Sequence, residues 1–227
     1  MPLEPRLTDR VEAGGRPPLL VWRLPAPLRA ISSAPLGGGL GMRQWVINAT
    51  VPMSYRRDDP DRHLVDLAAD LGLAGPGIGL LTGVDVTEVV AREDDGVRVW
   101  ATVGLGAPIW AADDPGREPP PSDDKGRVGT VNIVAFVPAP LTDAAMVNAV
   151  ATVTEAKAQA LRELGLPATG TATDAVAILC PPGQPAEPYG GPRSRWGAPL
   201  ARAARSAVRD GGAVPCVPWS VRQGIGR

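Results

Sequence analysis

Histidine, cysteine, lysine and asparagine are all scarce in this chain of 227 residues, and each shortage narrows what it can do. There is one histidine, His63, and there are two cysteines, Cys180 and Cys216, with no CxxC pair. A protein-bound zinc centre draws three or four ligands from such residues, often at short spacings, so no metal site is expected. Whatever chemistry occurs has to work without a histidine cluster. Two cysteines without framework spacing suit a reducing cytoplasm. No apolar run approaches the roughly 18 residues of a membrane span. The opening MPLEPRLTDRVEAGGRPP carries acidic residues and lacks the apolar stretch of a secretory signal. A net charge of −1 makes no electrostatic case for nucleic acid or an anionic membrane as partner.

The length suits one domain with a substantial core. Gly supplies 27 residues and Pro 26, a compositional bias that makes any single one a weak signal. Residues 1–17 read as a flexible leader and 210–227 as a Pro/Gly/Trp tail, with the domain at 18–209. Residues 19–24 and 29–33 read as short strands broken by Pro25 and Pro27. Over 44–51, Trp45, Ile47, Ala49 and Val51 alternate with Gln44, Val46, Asn48 and Thr50, the pattern of a strand with two faces. Residues 61–71 form an amphipathic helix with Leu64, Leu67, Ala68 and Leu71 inward, leaving His63 outside beside Asp66 and Asp70. Further strands fall at 79–82, 86–91 and 97–103, the last two a hairpin turning at 93–96. The charged, Pro-rich stretch 111–127 reads as a mobile loop, and a closing helix runs to about residue 209. About eight strands and three helices, with the only long crossover at 142–164, predict an α+β fold. We expect a single-domain sandwich with a mixed, largely antiparallel sheet flanked by helices.

The stretch 129–175 is the most informative. Residues 131–137 are β-branched and apolar around one asparagine, which reads as a buried strand carrying a polar group. Thr142 is a good N-cap, Asp143 suits the positive helix end, and Leu141 can staple onto Met146. The helix stops at Gly165, with Pro167 beyond. At 100° per residue, Asn148, Thr152, Glu155, Gln159 and Arg162 form a polar stripe. Opposite lie Met146, Val150, Val153, Leu161 and Leu164, with Lys157 in their midst. The chain has only two lysines among 23 basic residues. A lysine on a core-facing stripe must snorkel, pair with a carboxylate or shift its pKa downward, and buried lysines of that kind recur in catalytic sites.

Other candidates carry two readings each. Thr169-Gly170-Thr171-Ala172-Thr173-Asp174 is either turn chemistry or a Thr171 or Thr173 nucleophile beside a water-activating Asp174, with Lys157 as charge partner. Asn48 and Asn132 sit inside apolar strands, where an unpaired amide costs about 1–3 kcal/mol, so each needs a structural partner or a ligand. Ser32 and Ser33 are ordinary strand-end serines or hydroxyls for a Ser–Lys pair. Gly37, Gly38 and Gly39 lack the ending of a P-loop and the context of a dinucleotide fingerprint. Thr82 and Asp85 follow a short strand at a glycine turn, a place for ligand contacts or simple capping. Cys180, ending an apolar strand, reads as a small core residue.

The block GTVNIVAFVPAPLTDAAMVNAVATVTEAKAQAL (129–161), followed by GTATDAV (170–176), closely resembles the adenosylcobinamide amidohydrolase family of corrinoid salvage. ISSAPLGGGLG (31–41), WVINATVP (45–52) and GIGLLTGVDV (77–86) resemble the same family, and the likeness covers roughly residues 29 to 208. The sequence departs from it at Ala107-Pro108-Ile109-Trp110, where a Ser-Asn-type turn is expected, and in the charged insertion that follows. The resemblance implies hydrolysis of the amide joining an aminopropanol linker to the corrin ring, yielding adenosylcobyric acid and 1-amino-2-propanol. It implies no cofactor, the only metal being the cobalt of the small-molecule corrinoid substrate. Lys157, Asp174, Thr171 and Thr173 would then activate the nucleophile, with Glu155 added from the TEAK run. Asn48 and Asn132 would read the corrin's amide side chains or supply an oxyanion donor, and Ser32, Ser33, Gly37, Gly38, Thr82 and Asp85 would contact substrate. A non-catalytic corrinoid-binding protein and a phosphate-binding enzyme using the glycine loops are the rival readings. Oligomeric state is not legible.

Overall fold

Most strands of this chain carry apolar side chains on both faces, so the sheet they form has to be covered twice. The computed structural model describes residues 3–12, 15–114, 129–214 and 216–224. Its elements are β1 (Arg6–Asp9), β2 (Pro18–Ser32), β3 (Gly39–Thr50), α1 (Pro60–Asp70), β4 (Gly77–Thr82), β5 (Val90–Asp94) and β6 (Val97–Val103). There follow β7 (Val131–Phe136), α2 (Asp143–Glu163), β8 (Ala175–Cys180), α3 (Gly197–Gly212) and α4 (Trp219–Arg222). The sheet runs β4-β3-β2-β8-β7-β6-β5, with β1 beside β2. Among the described strands, only β3–β4 and β7–β8 pair in parallel. The fold is α+β, with a mixed, largely antiparallel sheet and its helices in one domain, as the residue pattern predicts. It has a second crossover, though: α1 joins β3 to β4, because parallel neighbours cannot be linked by a tight turn.

One apolar cluster gathers Trp22 of β2, Val46 of β3, Leu80 of β4, Trp100 of β6, Val134 of β7 and Leu179 of β8. Strands from distant parts of the sheet share it, so the sheet curls until its concave face closes on itself. Trp22 and Trp100 meet there edge to face, ring centroids 5.8 Å apart. The opposite face has two covers. Leu64 and Leu67 of α1 pack on Trp45 and Ile47, while α2 and α3 pack on β6, β7 and β8. Alanines 145, 149, 156 and 160 of α2 and 203, 204 and 207 of α3 are buried in this second cover; their small size lets the helices lie close.

Several local expectations are corrected. Residues 19–24 and 29–33 belong to one strand, β2; Pro25 and Pro27 fall in an exposed stretch where the pairing with β3 shifts register between Arg23 and Leu28. The strand expected at 86–91 starts as a 3-10 turn, Val86–Glu88, and β5 begins only at Val90. The hairpin turns on two residues with positive φ, Asp95 (49°) and Gly96 (80°), as a tight turn between twisted strands requires. The leader is not detached, since β1 pairs with β2 from Arg6 opposite Val21 to Asp9 opposite Pro18. Nor is the tail: α3 continues to Gly212, Trp219 is buried, and Ser220 Oγ accepts a hydrogen bond from Met53 N at 3.2 Å.

The leader also explains His63, which is buried rather than exposed. Glu12 folds back to lie 2.9 Å from His63 Nε2, and the Tyr55 hydroxyl lies 3.1 Å from Nδ1. Burial works against the Glu12 charge, yet hydrogen bonds from Arg10 and His63 hold its carboxyl below the usual carboxylate range. Of the stretch 111–127, residues 115–127 lie outside the described residues. No helix among the described residues is long and apolar enough to cross a membrane.

In α2 the capping reads as expected: Thr142 Oγ1 accepts from Ala145 N at 3.1 Å, and Gly165 leaves the helix at φ 76°. The polar stripe is not wholly solvated, because Thr152 is buried and donates to Gly190 O at 2.9 Å. Removing the cap isolates one helix-end N–H. Thr142→Ala is expected to lower stability by about 1 kcal/mol in urea unfolding, and Thr142→Ser to recover most of that loss.

Candidate active site

The first residues of β7 and β8 lie side by side, Asn132 opposite Ala175. Asp174 immediately precedes β8. Val176 faces the helices and Ala175 the concave interior, so alternation sends Asp174 toward α2. There its Oδ2 binds Lys157 Nζ and accepts from Thr171 N at 2.9 Å. Its Oδ1 accepts from Val131 N at 2.8 Å and from Thr171 Oγ1 at 2.5 Å. Four donors meet a carboxylate with about four lone-pair positions. The side chains of Lys157 and Asp174 are 9% and 10% exposed. Lys157 thus pairs with a carboxylate, one of the outcomes open to a lysine on this stripe. An ammonium has three donors, so those not directed at Asp174 remain for another partner.

Gly170 is the residue that permits this packing. A Cβ there would run into both Lys157 Nζ and Asp174 Oδ2. Its backbone is also bridged to Ile109, with Ile109 N donating to Gly170 O at 2.8 Å. Ala111 N donates to Thr169 Oγ1 at 2.9 Å. The segment Ala107-Pro108-Ile109-Trp110, where the sequence departs from the family pattern, is thus docked on the turn that carries Thr171 and Asp174.

A second polar group lines the concave face at the same strand ends. Thr173, which is exposed, shares a 2.7 Å hydrogen bond with Thr130. Asn132 Nδ2 donates to Asn48 Oδ1 and to Leu81 O, both at 2.9 Å, and Asn48 Nδ2 donates to Thr102 Oγ1 at 3.1 Å. The two asparagines therefore partner each other across the curl of the sheet.

The other candidates are engaged elsewhere. Ser32 Oγ accepts from Ala34 N at 3.0 Å and Ser33 Oγ from Val176 N at 3.1 Å, and neither is hydrogen-bonded to Lys157. Glu155 is exposed and outside the cluster. Gly37, at φ 71°, brings its backbone so near Gly77 that a Cβ would overlap the Gly77 carbonyl, and a Cβ on Gly38 would lie 2.8 Å from Ala34 O. Their close approach is to the protein's own backbone. Thr82 Oγ1 accepts from Val84 N at 3.1 Å. Asp85 caps the 3-10 turn, accepting from Thr87 N at 3.1 Å, and lies 3.8 Å from Arg222. Burial pushes the Cys180 thiol up, consistent with a core residue. Among the described residues, no three His, Cys, Asp or Glu side chains are grouped as metal ligands.

Sequence reasoning passed over Thr130, Thr102 and Gly170. Thr130 lies two residues before Asn132, so strand alternation could have found it. Thr102 needed the β6–β7 register, which sets it opposite Asn132, and Gly170 needed the position of α2.

The chain matches the adenosylcobinamide amidohydrolase family over residues 4–215. A relative named adenosylcobinamide amidohydrolase in Halobacterium salinarum is 35% identical over 192 residues, covering 83% of this chain and 82% of the relative. One of the same name in Methanosarcina mazei is 28% identical over 188 residues, covering 79% and 88% respectively. The chain belongs to the adenosylcobinamide amidohydrolase family. Membership makes it a hydrolase of an amide bond and bears out the resemblance read from the sequence.

Gly170→Ala is expected to part Lys157 from Asp174. Breaking a buried pair costs on the order of 3 kcal/mol, so urea unfolding should show a loss of about that size, with amide hydrolysis reduced at least tenfold.

Proposed function

We propose that this chain hydrolyses the amide joining the aminopropanol linker to a propionate side chain of the corrin ring in adenosylcobinamide, releasing adenosylcobyric acid and 1-amino-2-propanol for corrinoid salvage. The observation that carries this reading is the buried Lys157–Asp174–Thr171 cluster, set in the segment of strongest family likeness. Amide hydrolysis needs an activated nucleophile and a partner for the tetrahedral oxyanion. In this reading the Thr171 hydroxyl attacks the carbonyl carbon and its proton passes to Asp174 Oδ1, with which it is already hydrogen-bonded at 2.5 Å. Asp174 acts on the proton it already shares with the Thr171 hydroxyl. The free N–H donors of Lys157 meet the oxyanion; a charged donor held in a buried site is well suited to that. The amine leaves with the proton from Asp174, and water then cleaves the Thr171 ester.

Thr173 and Thr130 would line the substrate side, while Glu155 takes no part. No cofactor is required, and the cobalt belongs to the substrate. We place the reaction in the cytoplasm, where the free Cys180 and Cys216 stay reduced. A corrinoid-binding protein without chemistry is the rival, but it has no need of a lysine buried against a carboxylate.

Incubation of the purified protein with adenosylcobinamide tests the reading: adenosylcobyric acid is expected to accumulate, and a spectral change without product means a binder only. Lys157→Met should stay folded and lose at least about two orders of magnitude in turnover. Thr171→Ser should retain activity and Thr171→Val lose it; full activity in Thr171→Val would assign the attack to water. Activity is also expected to survive prolonged EDTA treatment and dialysis, and loss restored by added Zn²⁺, Co²⁺ or Mg²⁺ would defeat the metal-free scheme.

A further inference from the structure

The 3-10 turn Val86–Glu88 has a carboxylate at each end, Asp85 and Glu88, and one guanidinium from the far end of the chain reaches both. Arg222 Nη2 donates to Glu88 Oε1, and its Nη1 lies 3.8 Å from Asp85 Oδ2. Arg222 ends α4, which is anchored by the buried Trp219 and by Ser220, whose Oγ accepts from Met53 N. Asp85 is the buried member of the trio: its side chain is 11% exposed, against 35% for Arg222 and 37% for Glu88. Its Oδ1 accepts from Thr87 N and from the Thr87 hydroxyl, both neutral, and Arg222 brings it a countercharge. A carboxylate at that depth needs one.

The other end of the same stretch touches the polar group on the concave face. Leu81 O accepts from Asn132 Nδ2. Val84 O accepts from Thr50 Oγ1 at 2.9 Å, and that hydroxyl oxygen accepts from Val86 N at 3.1 Å. Val84 also lies so close to Gly104 that a Cβ there would come within 2.6 Å of its side chain. Gly104 N in turn donates to Thr130 O at 3.0 Å. Residues 81–88 therefore run from Asn132 and Thr130 at one end to Arg222 at the other, with Thr50 tying the middle to β3.

We propose that Arg222 is a positioning residue for the reaction: by clamping Asp85 and Glu88 it sets residues 81–88 against Asn132 and Thr130, and so holds the substrate-receiving face in shape without touching substrate. This rests on the corrinoid reading given above. Arg222 lies beyond the residues that match the family. Without the guanidinium, Asp85 keeps a buried charge and Glu88 repels it from three residues away, so the turn relaxes toward water. Lys157, Asp174 and Thr171 are held instead by β7, α2 and the 169–174 turn. Loosening residues 81–88 therefore weakens recognition and leaves the proton-moving groups in place.

The test compares full-length wild type, Arg222→Gln and Arg222→Lys with adenosylcobinamide, reading release of 1-amino-2-propanol. In Arg222→Gln, KM should rise at least about threefold while kcat stays within about twofold, the pattern of lost binding rather than lost chemistry. Arg222→Lys keeps the charge but not the fork that spans two carboxylates, so it should recover part of the loss. A pair as exposed as Arg222 and Glu88 adds little to global stability, so the melting temperature should hardly move. Amide hydrogen exchange reads the turn directly and needs no substrate: Thr87 N–H, which Asp85 accepts, should exchange faster in Arg222→Gln than in wild type. An unchanged KM in Arg222→Gln, a fall in kcat at constant KM, or unchanged exchange at Thr87 would each overturn the proposal. If the wild type binds adenosylcobinamide without releasing product, the hydrolase reading fails alone, and dissociation constants from equilibrium dialysis decide the role of Arg222 by the same threefold criterion. If the wild type does not bind it, both readings fall.

Discussion

The carboxylate of Asp174 is the constraint to which the rest of the site answers. It joins the first N–H of β7, the turn before β8 and the middle of α2. Each donor is held in turn by something larger. Val131 belongs to the sheet, Lys157 to a helix whose buried alanines set its approach, and Thr171 to a turn where a Cβ at position 170 would meet both Lys157 and Asp174. Buried polar networks behave as a unit, since a half-satisfied one is worse than none. The depth of α2 against the sheet and the shape of the 169–174 turn are therefore parts of one arrangement.

Strand alternation explains why the polar residues divide into two groups. Val131 and Asp174 lie on the helix side of the strand ends, while Thr130, Asn132 and Thr173 lie on the concave side. The two groups are back to back, separated by the thickness of a backbone. In the proposed reaction this separates labour: ionised groups that move protons lie on one side, and neutral amides and hydroxyls that recognise a ligand lie on the other.

Much of this was legible in the residues, for reasons that are local. The cap, staple and stop of α2 are encoded within its own turns, and Lys157 stood out because helical periodicity placed it among apolar neighbours. Asn48 and Asn132 drew notice because asparagine is rare here and sits badly in an apolar strand. What escaped depends on contacts between distant segments. That β1 adds to the sheet, that His63 is covered by Glu12, and that Thr102 supports Asn48 all follow from pairings no short window contains. Gly37, Gly38, Ser32 and Ser33 were visible as candidates, yet their spacing could not distinguish an approach to ligand from the approach to Gly77, Ala34 and Val176 that the fold makes.

The strand order has a consequence for how the chain is made. β8 lies between β2 and β7, pairing Arg29 with Cys180 across most of the sequence. Until β8 has left the ribosome, the second half of β2 has one edge with no partner, and the interior cluster lacks Leu179. The unit β7–α2–β8 is built from contacts of shorter sequence separation, whereas its docking onto β2 closes a loop of long sequence separation, the slow kind of step. The nascent amino-terminal half therefore waits with an open sheet edge, the feature that invites wrong pairing. Its exposed prolines at 25 and 27, set in the middle of β2, interrupt that edge over the interval in which it has nothing to bind.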